Sequence, residues 1–255
     1  MSILIINNEY KERKFECILK QILKTLSLFI VSLVLLSLNN LVYSKEEDIS
    51  NEKNIYLTFD DGPGGKVTEK VLDILKDEEV PASFFLIGEE INNQSALVKR
   101  IYDEGHSIGL HSMTHNQKKL YSSDEFFLKE MKETQEVINE VTGYSPYILR
   151  FPFGCNNTCY KLKESLVNSL HDNNYKIYDW NVDSSDGANP NASPSAIYKN
   201  SISDKSNITL LMHCSNLHKN TAKALPQIIK YYKEKGYVFK KIDETTPEVY
   251  HYITK

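Results

Sequence analysis

From Ile55 to Ile242, short apolar runs alternate with stretches of helical periodicity, and this alternation restricts the fold more than any other feature. Ile55–Phe59 reads as a strand, and Lys66–Glu78 follows with Val67, Val71, Leu72 and Leu75 on one helical face. Ala82–Ile87 is a continuous apolar run of the kind found in a strand covered on both faces. Ser95–Glu104 has a helical pattern, Ser107–Leu110 is extended, and Ser123–Val141 is the longest helix, closed by Gly143. Further strands are expected at Tyr147–Phe151, Lys176–Val182, Ile208–Met212 and Tyr237–Ile242, and further helices at Leu162–His171 and Thr221–Glu234. About seven such alternations need crossover connections, and therefore a parallel sheet.

Residues able to do chemistry fall at or just past the ends of these strands: Asp60, Asp61, His111, Arg150, Asp183, Asp186 and His213. An open doubly wound sheet gathers its ligands at one switch point. Convergence from several strand ends belongs instead to a barrel. The expected fold is thus α/β, a single distorted (β/α) barrel with about seven parallel strands, occupying residues 54–255.

Two adjacent carboxylates close the first strand, in Thr58-Phe59-Asp60-Asp61-Gly62-Pro63. Strand neighbours point to opposite faces, so one Asp can hold a metal ion while the other reaches the water beside it. His111 and His115 are spaced so that both imidazoles can face one cation. One carboxylate and two histidines with an open position make up a catalytic metal site. Each group has a blander reading: adjacent Asp residues before Gly-Pro commonly form a turn. A lone Arg is usually solvated or paired, and a lone Trp is more often core than pocket wall. His106, His171, His218 and His251 have no partner pattern and read as structural or exposed.

The chain resembles the polysaccharide deacetylase family (carbohydrate esterase family 4, the NodB-homology domain), through five short motifs in the family's order between about residues 54 and 243. The resemblance implies that Asp60 is the catalytic base, that Asp61, His111 and His115 hold the metal, and that Arg150 holds the base carboxylate. It implies a backbone oxyanion donor at Phe153, where many relatives carry Tyr, and an acyl-methyl pocket walled by Trp180 and Leu211. His213 matches the general acid and Asp186 its paired carboxylate. Read from the residues alone, Asp183 either orients other groups or caps a turn. The fourth motif departs from the pattern: Asp183-Ser-Ser-Asp186-Gly187 has Gly where many relatives have Trp. That change opens one pocket wall or hands it to residues 189–193. A second departure is the Cys155-Asn-Asn-Thr-Cys159 insert beside the third motif. The implied cofactor is one divalent ion, Zn²⁺ first, with Co²⁺, Mn²⁺ and Ni²⁺ as competitors.

The expected activity is N-deacetylation of amino sugars in an acetylated glycan, with peptidoglycan favoured. The alternatives are another acyl bond, such as O-acetyl xylan or a cyclic amide, and a glycan-binding pseudoenzyme. Since the base, the metal ligands and the acid are all present, the pseudoenzyme is the weakest of these.

Composition bears on location and partners. Lys11, Arg13, Lys14, Lys20 and Lys24 precede an apolar run from Leu26 to Leu38, and Val42-Tyr43-Ser44 offers small residues near a cleavage point. This is the pattern of an export signal. A retained anchor over residues 26–43 is the rival, since spanning a bilayer takes ~20 apolar residues. Residues 1–44 are therefore read as signal or anchor and 45–53 as linker, with the folded part outside the cytoplasm, in the medium, the wall or on the outer membrane face. The first 44 residues carry five Lys or Arg against three Glu, so the rest of a chain of net charge −4 is the more acidic part. No basic run crosses it, which argues against nucleic acid. No protein partner is inferred. In an oxidising exterior Cys155 and Cys159 are close enough to bridge, leaving Cys214 as a buried thiol.

Overall fold

The computed structural model describes residues 24, 31, 32, 34, 52–157, 160–243 and 245–250. Contacts divide the chain into Met1–Glu52 and Lys53–Lys255. Of the first unit only five residues are described; Lys24, Val31, Ser32 and Val34 are helical and exposed. The expected signal or anchor otherwise lies outside the described residues, as do most of the 45–53 linker and Cys159. Among the described residues no helix is long and apolar enough to cross a membrane.

Eight strands are described in the second unit: β1 Asn54–Gly62, β2 Ser83–Leu86, β3 Ser107–Leu110, β4 Ile148–Leu149, β5 Lys176–Ile177, β6 Val182–Asp183, β7 Asn207–His213 and β8 Val238–Lys240. Their order is β5-β4-β3-β2-β1-β7-β6, and every pairing between these strands is parallel. One edge of β1 pairs with β7 throughout; β8 pairs with its start and β2 with its end. The two edge strands, β5 and β6, are successive in the chain, so a short covalent link joins the edges of the curled sheet. This is the distorted (β/α) barrel that the alternation predicts.

That link replaces the single strand expected at Lys176–Val182. The carbonyls of Tyr178 and Asp179 accept hydrogen bonds from Arg150 Nε (2.7 Å) and Nη2 (3.0 Å). A carbonyl committed to a guanidinium is lost to the sheet ladder, so the strand breaks where it meets Arg150. The expected strand at Tyr147–Phe151 is likewise cut to two residues.

Helices cover the outside of the sheet. Helix α1, Lys66–Asp77, buries Val67, Val71, Leu72 and Leu75, the face its periodicity predicts. Each such side chain contributes about 1.5–3 kcal/mol when fully buried. Next come α2 Gly88–Ile91, α3 Ser95–Asp103, α4 Gln117–Leu120 and α5 Asp124–Thr142. Ser123 caps α5 by accepting from Phe126 N–H at 3.1 Å, and Gly143 at φ 73° ends it. Three more follow: α6 Glu164–Asp172, α7 Pro194–Ser201 and α8 Lys219–Glu234. The sequence reading missed α7, which Ser193 caps.

Candidate active site

The site is built on β1 and β7. Their register pairs Thr58 with Leu211 and Asp60 with His213. Residues two apart on a strand share a face, and register partners lie side by side. Thr58, Asp60, Leu211 and His213 therefore form one patch, with Asp60 and His213 at its upper end.

Strict alternation would send Asp61 to the opposite face. Instead the β1–β2 register shifts between Asp60 and Gly62, and Asp61 adopts φ 62°. An extra residue in the left-handed region bends the strand and re-aims its side chain. Asp61 Oδ1 consequently stands 3.5 Å from His111 Nε2 and 3.4 Å from His115 Nε2. This bulge, rather than simple alternation, brings both carboxylates to one site.

Asp61, His111 and His115 each place a donor atom within 4.8 Å of the other two. His111 Nδ1 lies 2.9 Å from the Arg150 carbonyl oxygen, which can only accept. The proton therefore sits on Nδ1 and the Nε2 lone pair faces Asp61. Burial, and then the neighbouring His115, hold the His111 pKa well below the ordinary imidazole value. Asp61 Oδ1 is buried with no hydrogen-bond partner. Neutral imidazoles around an orphaned carboxylate oxygen fit a divalent cation. The two histidines come from a loop, not from one helical turn, with Ser112 at φ 67° and His115 at φ 52°.

Arg150 is fully buried and donates from all three of its side-chain nitrogens. Nη1 donates to Thr58 Oγ1 and to Asp60 Oδ1, both at 2.8 Å, while Nε and Nη2 hold the 178–179 link. Its guanidinium lies 4.3 Å from the Phe85 ring centroid and 5.7 Å from that of Trp180. An arginine beside a carboxylate normally lowers its pKa. Here burial dominates, and the Asp60 pKa rises to about 6 against the pull of Arg150 and His213. A base with a pKa near the working pH transfers protons efficiently.

On the other side, Asp186 Oδ1 is 2.7 Å from His213 Nδ1, and its Oδ2 accepts from His213 N–H at 2.9 Å and Thr221 Oγ1 at 2.6 Å. Burial alone would lower the His213 pKa. The hydrogen bond and charge of Asp186, helped by Asp60 and Asp61, outweigh it and raise the pKa to about 9. Gly187 lies close against this ring: a Cβ there would fall 2.4 Å from His213 Cε1. A larger residue than Gly at 187 would thus have to displace the His213 ring or the local backbone.

The remaining residues are placed as follows. Phe153 is exposed at φ 66°, its ring 4.7 Å from that of His115. Trp180 is half-buried over Gly154, and Leu211 is buried on β7. Asp183 is exposed and accepts from Ser185 N–H, so it caps a turn. Cys155 is buried with its Sγ 2.7 Å from Asp179 Oδ2. Burial pushes the Cys214 thiol pKa far up, consistent with an inert buried residue.

His218 is not a remote structural residue: it is buried and stacks on His213 at 4.9 Å and 24°. Sequence reasoning also missed Thr221 and Glu130. Neither is near a motif, but Glu130 falls on the apolar stripe of its helix with Phe127, Met131, Thr134 and Ile138, which is a readable signal. A separate cavity of about 880 Å³, walled in part by Tyr102, Tyr144 and Tyr147, opens beside the N-terminal ends of β3, β4 and β5. None of the site residues above lines it.

Residues 47–172 match the family model for polysaccharide deacetylases. A peptidoglycan-N-acetylglucosamine deacetylase from Bacillus cereus is 41% identical over 198 residues, covering 75% of this chain and 70% of the relative. This chain belongs to the polysaccharide deacetylase family. A second relative, the peptidoglycan-N-acetylmuramic acid deacetylase PdaA from Bacillus subtilis, is 33% identical across 76% of this chain and 72% of its own length. Among solved structures, the polysaccharide deacetylase Bc1974 from Bacillus cereus superposes with a TM-score of 0.70 at 39% identity, covering 77% of this chain and 95% of that one. As a polysaccharide deacetylase the protein is a hydrolase of a non-peptide carbon–nitrogen bond.

Proposed function

We propose that this protein is an exported, divalent-metal-dependent N-deacetylase of peptidoglycan, acting on N-acetylglucosamine or N-acetylmuramic acid residues. The observation that carries the chemistry is the position of Asp60 between two sets of partners. Its Oδ1 is held by Arg150 at 2.8 Å, and its Oδ2 is 3.8 Å from His111 Nε2 of the Asp61–His111–His115 set. His213 is its register partner. Relatives named for deacetylating each of the two sugars support the polymer, and the charged flank followed by an apolar run supports export. Zn²⁺ suits the donor set best, with Co²⁺, Mn²⁺ or Ni²⁺ as substitutes.

A cation held by Asp61, His111 and His115 would supply Lewis acidity, acidifying a water and polarising the acetyl carbonyl. The protein's own residues handle the protons. Asp60, fixed by Arg150, accepts one as the water oxygen bonds to the acetyl carbon. The Phe153 backbone N–H is the donor proposed for the carbonyl oxygen as negative charge develops there. His213 carries its transferable proton on Nε2, since Nδ1 is committed to Asp186, and delivers it to the amine nitrogen as the C–N bond breaks. Acetate and a free amino sugar result. Trp180 and Leu211 are the walls proposed for the acetyl methyl group.

The test is acetate release from purified peptidoglycan, with and without chelator and with Zn²⁺ restored. Chelator-sensitive release is expected. If acetylated xylan or a cyclic amide is turned over while peptidoglycan is not, the polymer assignment is wrong.

A further inference from the structure

The loop carrying His115 is held by a residue outside the family motifs. It leaves β3 at Leu110 and runs through Ser112, at φ 67°, to His115, at φ 52°. Each non-glycine residue in the left-handed region costs roughly 1–2 kcal/mol, so a loop with two of them needs compensating bonds. On one side, Gly88 N–H donates to Ser112 O at 3.0 Å and Glu89 N–H to Met113 O at 2.9 Å. On the other, the next two amides point at a single carboxylate. Met113 N–H and Thr114 N–H donate to Glu130 Oε2 at 3.1 and 2.9 Å, and Thr114 Oγ1 donates to Oε1 at 2.8 Å. Glu130 projects from α5 and is only 1% exposed. Successive backbone amides around an anion form an anion-binding nest, here filled by the protein's own side chain. Ser112 Oγ then accepts from His115 N–H at 2.9 Å, so the bracing extends to the histidine itself.

We propose that Glu130 is a positioning residue for the cation site: its buried carboxylate fixes the Met113–Thr114 backbone and thereby sets where His115 stands opposite Asp61. A buried Glu could serve stability alone, and a neutral side chain with a hydrogen-bonding oxygen would then nearly suffice. The geometry argues otherwise. All three donors belong to Met113 and Thr114, the residues immediately before His115, although Glu130 lies 16 positions further along the chain. Glutamine keeps the shape of the side chain but has one carbonyl oxygen and an NH₂ group in place of two acceptors. Its NH₂ would therefore face the loop's donors, or the loop would have to shift.

This inference rests on the reading of Asp61, His111 and His115 as the cation ligands, and the experiment separates the two. Zn²⁺ binding to the purified metal-free protein is measured by calorimetry for wild type, Asp61→Ala, Glu130→Gln, Thr114→Val and Glu136→Gln, alongside the melting temperature of each metal-free form. Glu136 is exposed on the same helix and controls for charge. Glu130→Gln should weaken Zn²⁺ binding roughly 10- to 100-fold, the range for lost supporting partners of metal ligands. Thr114→Val, which keeps both backbone donors but loses the hydroxyl that donates to Glu130 and accepts from Asn116 N–H at 3.2 Å, should weaken it less. Glu136→Gln should match wild type. If Asp61→Ala binds Zn²⁺ like wild type, the ligand reading fails, and this inference with it. If Asp61→Ala loses Zn²⁺ but Glu130→Gln binds within twofold of wild type, Glu130 is a structural brace only, whatever its melting temperature. Should Glu130→Gln not fold, unchanged Zn²⁺ affinity in Thr114→Val would overturn the proposal.

Discussion

His111 follows β3 and His213 ends β7, with β2 and β1 between them in the sheet, and their surroundings push them in opposite directions. His111 has its Nδ1 on a carbonyl oxygen, and burial keeps it neutral. His213 has its Nδ1 on a carboxylate, and that partner raises its pKa to about 9 against the pull of its partial burial. The first is suited to donating a lone pair, the second to donating a proton. Burial alone therefore does not decide what an imidazole does; the charge of the group on its other nitrogen does. Asp60 lies between these two poles and belongs to neither set of hydrogen bonds.

The strongest way to sharpen this contrast is to remove the group between the poles. Asp60→Asn should lower turnover by roughly 100- to 10,000-fold, the usual contribution of a general base. Zn²⁺ affinity should remain near that of wild type, because Asp61, not Asp60, is the proposed ligand. Near-normal turnover would show that the base lies elsewhere.

Gly187→Ala breaks the acid pole alone. The new methyl would stand 2.4 Å from His213 Cε1, so the ring or the 187 backbone has to move. A displacement of about 1 Å at a reacting group can cost roughly 100-fold in rate. The loss should appear in kcat while Zn²⁺ affinity stays constant. A variant with wild-type kcat would mean that the ring tolerates the shift.

The mildest perturbation is Asp186→Asn, best read as a pH profile. His213 must be protonated to act, so activity should persist up to about pH 9 in wild type and fall as pH rises through that value. Removing the Asp186 charge lowers the His213 pKa and moves this alkaline limb to lower pH. A fall to about 7 would leave roughly a tenth of the acid protonated at pH 8, and so about a tenth of the rate. An alkaline limb that stays in place would remove His213 as the proton donor.

Much of this was legible in the sequence, for a physical reason. Short, mostly apolar segments mark buried strands, so Ile55–Phe59, Ala82–Ile87 and Ser107–Leu110 fall on observed strands, and the motif residues Asp60, Asp61 and His111 follow the first and last of them. The reading failed where one side chain overrides local pattern. Lys176–Val182 looks like one strand, but Arg150, far away in the chain, takes its carbonyls and splits it. Asp61 reaches the site through a bulge that alternation does not predict. Thr221 and His218 carry no local signal, because their roles exist only once the start of α8 folds back against Asp186 and His213. Glu130 is an intermediate case: a carboxylate on an apolar stripe marks a buried acid, but not what it holds.

The pairing of Asp60 with His213 across β1 and β7 has a consequence for substrates. Adjacent strands lie about 4.8 Å apart, and their hydrogen bonds resist spreading. The backbone gap between the proposed proton acceptor and the proposed proton donor is therefore a rung of the sheet, a ruler the protein cannot stretch. A bulkier acyl group or a differently linked sugar has to be accommodated by the loops above that rung. Divergence within this architecture should accordingly be written in its loops, while the proton-to-proton span stays the same from one substrate to the next.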